Sequence, residues 1–210
     1  MQEVTIGIAG AAGDGLDKSG DTLARSCGRL GLHVYAYNSY QSIIRGGHIW
    51  LRVRIGENKV YSHGDKLNVL VALNQDSIER HAGEVEEGGV VIFNSDKIKC
   101  DPALVRPGVK ILGLPMAKVT EDVVKEHGPL QAIMQNTVAV GAVCFLSNIG
   151  LEEPTSVLTD TFAHKGQKVI DLNIGLLKAG YEFAKANCQT LTKEWQFSHK
   201  KRPFVTGNEA

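Results

Sequence analysis

Apolar residues along this chain fall into two rhythms. Short, nearly unbroken runs come first: "VTIGIA" at 4–9, "LHVYAY" at 32–37, "KLNVLVALN" at 66–74, "GVVIFNS" at 89–95 and "VKILGLP" at 109–115. Runs of this length, bounded by Gly, Pro or Asn, predict strands, and those at 4–9 and 66–74 predict strands buried in the sheet. "IWLRVRIG" (49–56) is different, because Ile49, Leu51, Val53 and Ile55 alternate with Trp50, Arg52 and Arg54. That alternation predicts one buried face and one exposed face, and "VYSH" beyond the "GENK" break predicts the return strand of a hairpin.

Helical spacing takes over elsewhere. Leu16, Leu23, Ala24, Cys27 and Leu30 share a helix face, with Gly31 placed as a left-handed C-terminal cap. "DSIERHAGEV" predicts a short helix, and "CDPALVRPG" a loop. Past Pro115 the strands stop, and 118–127, 129–147, 154–164 and 166–186 predict helices. The fold class that follows is α/β: a layered, mostly parallel sheet with a hairpin, flanked by helices and ending in a helical C-terminal part. Residues 1–187 form the expected domain; 188–210, polar and without periodicity, read as a linker.

Composition narrows the functional classes. Lys and Arg number 23 and so do Asp and Glu, so no basic field recruits nucleic acid or an anionic membrane. Cys27, Cys100, Cys144 and Cys188 are too dispersed for a zinc or cluster motif and read as reduced, mostly buried thiols. The longest apolar segment, near 137–146, is far short of a bilayer span, and the expected location is cytoplasmic.

Three places invite chemistry. In "GIAGAAGDGLDKSG" (7–20), Gly10, Gly13 and Gly15 join a strand to a helix, where free N–H donors and the helix dipole suit a phosphate. The dinucleotide fingerprint does not fit, because Ala12 occupies its middle glycine position and Asn38, Ser39 and Tyr40 stand where an acid would hold the ribose. A different phosphate ligand and a purely structural turn both stay open. In "SIIRGGHIW", Arg45 with Gly46 and Gly47 can clamp an anion or form a hairpin turn with a surface arginine, and His48 has no second ligand at metal-binding spacing. Asn136, beside Thr137 in an apolar helix, must bond either a neighbouring loop or a ligand. Lys165-Gly166 and Asn173 are lesser polar candidates near the last helices. No acid/base or nucleophile constellation is evident, so the chain reads as a binder.

Taken in order, "GAAGDGLDKSG", "YNSYQSIIRGGHIWLRVRIG", "SHGDKLNVLVALN", "GGVVIF", "QNTVAVGA" and "HKGQKVIDLN" resemble the gamma-type domain of 2-oxoacid:ferredoxin oxidoreductases. "RGGH" before an arginine-bearing strand resembles the 2-oxoglutarate version, in which this domain opens the alpha subunit. "FVTGNEA" is similar to the start of the thiamine-type domain that follows there. The resemblance implies oxidative decarboxylation of a 2-oxoacid, with 2-oxoglutarate expected, to acyl-CoA. Thiamine diphosphate and iron-sulfur clusters would be carried by other domains or subunits, with ferredoxin as acceptor. It also implies that this domain binds coenzyme A through Gly13, Asp14, Gly15, Arg45, Gly46, Gly47 and Asn136, and contributes to assembly. The alternatives are a structural domain with coenzyme A bound elsewhere, or a pyruvate- or indolepyruvate-type gamma subunit.

Overall fold

A computed structural model describes residues 2–39 and 47–196, without the side chains of 132 and 133. The strands are β1 (Glu3–Ala11), β2 (His33–Ser39), β3 (His48–Gly56), β4 (Leu67–Ala72), β5 (Val85–Asn94) and β6 (Lys110–Leu114), in one sheet ordered β2-β3-β1-β4-β5-β6. The helices are α1 (Leu16–Arg29), α2 (Gln75–His81), α3 (Met116–Val119), α4 (Glu121–His127), α5 (Asn136–Leu146), α6 (Glu152–Phe162) and α7 (Gln167–Asn187). β1, β4, β5 and β6 pair in parallel, while β3 is antiparallel to both β1 and β2. β3 therefore opposes every other strand, and the α/β class with a mostly parallel sheet and a hairpin holds.

The hairpin is not the one expected. "VYSH" forms no strand, and the hairpin partner of β3 is β2. The reason lies in the two arginines: Arg52 Nη1 donates to Gly64 O at 2.5 Å and Arg54 Nη1 to Ser62 Oγ at 3.2 Å. These bonds fold the loop across the face of β3, and both edges of β3 are already filled. The supposedly exposed face is consequently covered. Arg52 is 8% exposed and pairs with Glu84 at 2.7 Å.

Helix limits also moved where backbone chemistry dictates. The 118–127 segment divides at Thr120, whose hydroxyl donates to Met116 O. The 129–147 segment begins as a short 3-10 turn at Ala132–Gln135, since Gly128 is left-handed at φ 91° and Pro129 follows it. Gly31 caps α1 as expected, with φ 86° and its N–H on Gly28 O.

The larger core lies between one sheet face and α1, α5, α6 and α7, and includes Ile6, Ile8, Val53, Leu23, Val143 and Leu176. A smaller core lies under α2, around Leu70, Ile78 and Val91. α5 and α7 meet backbone to backbone: a Cβ on Gly141 would lie 1.9 Å from Leu177 O, and one on Gly180 1.8 Å from Val138 O. Residues 188–196 lie along the body, with Leu191 N–H on Leu146 O and Trp195 buried. The "HKKRP" and "FVTGNEA" stretches lie outside the described residues. Among the described residues, no helix is long and apolar enough to cross a membrane.

Candidate functional site

The parallel strands β1, β4, β5 and β6 all end at one edge of the sheet. From β1 the chain goes to β2 and β3 on one side, and β4, β5 and β6 build the other side. This reversal makes a crevice at the strand ends, the usual place for a ligand in an open α/β sheet. The glycine turn sits in it. Gly13 (φ 103°) and Gly15 (φ 83°) adopt backbone angles that other residues resist. Gly10 is needed for space, because a Cβ there would lie 3.0 Å from both Asp14 Oδ2 and Leu16 Cδ1. Asp14 closes the turn on itself: its carboxylate accepts Ala11 N–H at 2.8 Å and its own N–H donates to Ala11 O at 3.0 Å. Among the described residues, no side chain caps the N-terminus of α1.

Asn136 is the first residue of α5, not an interior one, and its Nδ2 donates to Asp14 O at 2.5 Å. One hydrogen bond thus ties the glycine turn to a helix more than a hundred residues away. Gly47 joins the same group, since its carbonyl accepts Ala12 N–H at 3.0 Å. Of the residues singled out from the sequence, Gly13, Asp14, Gly15, Gly47 and Asn136 come together; Arg45 and Gly46 lie outside the described residues.

The Asp14–Asn136 bridge stands between two chambers. One, of about 360 Å³, opens at the strand ends and is lined by Gly13, Asp14, Leu73, Asn94, Lys97 and Asn136 among others. The other, of about 410 Å³, lies between α1, α5, α6 and α7, with Gly15, Lys18, Thr137, Phe162, Lys165 and Asn173 in its wall. Lys18, Lys97 and Phe162 escaped notice in the sequence. Lys18 alone carried a signal there, as a cation in the first turn of the helix that follows the glycines. The other two reach the site through helix packing or a strand-end loop.

The dinucleotide geometry is also absent at the level of topology. β3 separates β1 from β2, and Asn38 at the end of β2 donates to Asp17 Oδ1 at 3.0 Å. Nor do the cysteines suit an iron-sulfur cluster. Burial raises the Cys27 thiol far above its ordinary range and pushes Cys144 up to about 12, so neither is a ready thiolate ligand. Cys100 and Cys188 are partly exposed, and their thiols are also raised by burial. Among the described residues, no three His, Cys, Asp or Glu side chains converge on a metal position.

Behind Gly47, a chain of polar groups fastens β3 to α2. His48 Nε2 and His81 Nε2 are 2.7 Å apart, and His81 Nδ1 lies 3.1 Å from Glu84, which Arg52 grips in turn. At its other nitrogen, His48 Nδ1 lies 3.1 Å from Asp76 Oδ2, so a carboxylate stands at each end of the histidine pair. Burial, then the neighbouring His81, lowers the His48 pKa. The unfolded chain therefore takes up this proton first as pH falls, and stability declines with pH below about 6.5. Urea midpoints between pH 8 and pH 5 should show this decline, with a shallower slope in His48→Gln. Equal slopes would remove His48 as its source.

A glycine turn at the strand ends of an α/β domain thus stands between two chambers. The match to the family model of pyruvate ferredoxin/flavodoxin oxidoreductase covers residues 5–183, and the chain belongs to that family. It is 34% identical over 190 residues to the ketoisovalerate oxidoreductase subunit VorA of Methanothermobacter thermautotrophicus, covering 89% of this chain but only 38% of the relative. The 2-oxoglutarate synthase subunit KorC of Archaeoglobus fulgidus is 26% identical, with 97% of this chain and 98% of that subunit covered. Among solved structures, the 2-oxoglutarate:ferredoxin oxidoreductase of Magnetococcus marinus, with 2-oxoglutarate, coenzyme A and succinyl-CoA bound, superposes with a TM-score of 0.77 at 28% identity. It covers 97% of this chain and 34% of that one.

Proposed function

We propose that this chain is the coenzyme A-holding and assembly domain of a 2-oxoacid:ferredoxin oxidoreductase, which converts a 2-oxoacid and coenzyme A to acyl-CoA and carbon dioxide and passes the electrons to ferredoxin. The observation that carries the reading is the bridge from Asn136 to Asp14, which holds an uncapped, glycine-built anion cradle open between two chambers. Coenzyme A is a long ligand with a pyrophosphate near its middle. Backbone N–H groups at Gly13–Gly15 and the α1 terminus suit that pyrophosphate, and the chambers can take the two ends.

This chain's own work is binding and orientation. Carbanion chemistry on thiamine diphosphate and electron storage in iron-sulfur clusters are assigned in this reading to other parts of the complex. Arg45 precedes Gly47 by two residues in the sequence, and its planar guanidinium is the cation we assign to the same anion. In the complete enzyme, Arg45→Ala should raise the coenzyme A KM roughly ten- to a hundred-fold, the value of one charge-assisted contact of about 1.5–3 kcal/mol. Unchanged titration calorimetry and KM would strike Arg45 from the site.

For the 2-oxoacid, the "RGGH" motif supports 2-oxoglutarate. The VorA relative, a ketoisovalerate oxidoreductase subunit, supports a branched-chain 2-oxoacid as the second reading. Ferredoxin-coupled turnover of the two acids, compared as kcat/KM, separates them.

A further inference from the structure

The polar chain behind Gly47 joins β3 to α2 through one contact. The ring centres of His48 and His81 are 4.9 Å apart, their planes are 25° from parallel, and the two Nε2 atoms are 2.7 Å apart. That centre distance is close to the Nε2 separation plus two ring radii, so the rings meet tip to tip rather than face to face. Between the tips there is room for one proton. One ring can donate to the other at this distance, whereas two imidazolium rings would point two N–H groups at each other. Water offers little alternative, because the side chains are only 11% and 10% exposed. The far nitrogens are placed as well: each Nδ1 lies 3.1 Å from a carboxylate oxygen, Asp76 for His48 and Glu84 for His81. Arg80 engages Asp76 at 2.8 Å and Arg52 engages Glu84 at 2.7 Å. Among the described residues, then, Asp76 and Arg80 of α2, Glu84 beyond it and Arg52 of β3 are the charged groups facing the pair. Trp50 lies edge-on to His81, and His63 meets Trp50 in turn.

α2 is seated independently of the pair. Asn74 Oδ1 accepts Ser77 N–H at 2.9 Å, and Gln75 Oε1 accepts Lys99 N–H at 3.1 Å. His48, in contrast, is the first residue of β3 and stands opposite Ala11 in the ladder with β1. Directly before it, the Gly47 carbonyl accepts Ala12 N–H inside the glycine turn. Whatever fixes the His48 ring therefore fixes the carbonyl that backs the turn. When acid charges both rings, the carboxylates favour the Nδ1–H ends and the Nε2 contact yields, which separates the start of β3 from α2. Burial and the neighbouring ring oppose that last proton, so the separation falls on the acid side of the ordinary histidine range. We infer that His81 is a positioning residue for the glycine turn: its Nε2, sharing one proton with His48, holds Gly47 against Ala12, and a second proton in that contact releases the turn. The effect on coenzyme A rests on the reading that the turn holds this ligand; the effect on the turn itself does not.

The test compares wild type, His81→Leu and His81→Gln in the complete enzyme, with two readouts. The first is hydrogen exchange at the Ala12 amide, which needs no ligand. Exchange there should be faster in His81→Leu than in wild type at pH 7.5, while the amides of β4 and β5 keep their protection. The second is the coenzyme A KM, which should rise roughly ten-fold in His81→Leu with little change in kcat, the value of one hydrogen bond. The glutamine amide can accept from or donate to His48 and gains no charge, so His81→Gln should restore the neutral KM. It should also flatten the part of the KM rise that wild type shows as pH falls from about 6.5 toward 5. Unchanged Ala12 exchange in His81→Leu, or loss of protection spread evenly over the domain, overturns the positioning role. A wild-type pH profile retained by His81→Gln overturns the role of the shared proton. Altered Ala12 exchange in an enzyme that has no dependence on coenzyme A leaves the positioning role standing and overturns the proposed function instead.

Discussion

Trp195→Ala is expected to cost about 3–5 kcal/mol of stability, although Trp195 lies beyond the residues that define the family. Its side chain is 3% exposed, and its Nε1–H donates to Ser147 O at 2.5 Å, at the C-terminal end of α5. Truncation would open a cavity in the main core and leave a helix-end carbonyl without its donor. Trp195→Phe should be milder, because it keeps most of the buried area and loses only the hydrogen bond. Chemical denaturation of the three proteins checks the order. If Trp195→Ala is no less stable than wild type, residues 188–196 do not belong to the cooperative unit. Nothing about "LTKEWQFSHKKRP" suggests such a role, since a single tryptophan in a polar stretch has no period.

The second large effect is expected at the crossing of α5 and α7. Gly141→Ala or Gly180→Ala puts a methyl group into a carbonyl of the facing helix, and overpacking of this kind costs about 3 kcal/mol. The helices can relieve it only by moving apart. Because α5 begins with Asn136, that movement also shifts the donor that holds Asp14, so coenzyme A binding should weaken together with stability. Gly175→Ala is the control: it lies in the same helix α7 but meets Val123 at an ordinary 3.4 Å, and should be neutral or slightly stabilising. Equal effects at all three positions would show that helix propensity rather than the crossing governs them. Urea denaturation and titration calorimetry give the two readouts.

Much of the fold was legible because each element carried its own period. The buried strands β4 and β6 and the second half of β5 were nearly unbroken apolar runs, and α1 showed its apolar face, its glycine entrance and its glycine exit within one short window. The errors share a cause. "VYSH" had strand-like residues, but its fate was decided by Arg52 and Arg54, whose guanidinium groups bind its backbone from the face of β3. The same two arginines looked solvent-facing by alternation; Arg52 is covered because that loop and Glu84 close over it, whereas Arg54, paired with Glu3, stays partly exposed. Local patterns report which face a residue occupies, not what will be laid on top of it.

By itself the sequence determined the six strands and most of the helices, the phosphate-suited turn and the misfit of the dinucleotide fingerprint at Ala12, because these depend on periodicity, glycine conformation and side-chain type within a few residues. Tertiary structure alone decided that Asn136 bonds Asp14, that Gly47 backs the turn, and that Lys18 and Lys165 meet over Phe162. Those pairings cross as many as 147 residues of chain. They come from the sheet order and from helices close enough to demand glycine at their crossing, and no local pattern encodes such distances.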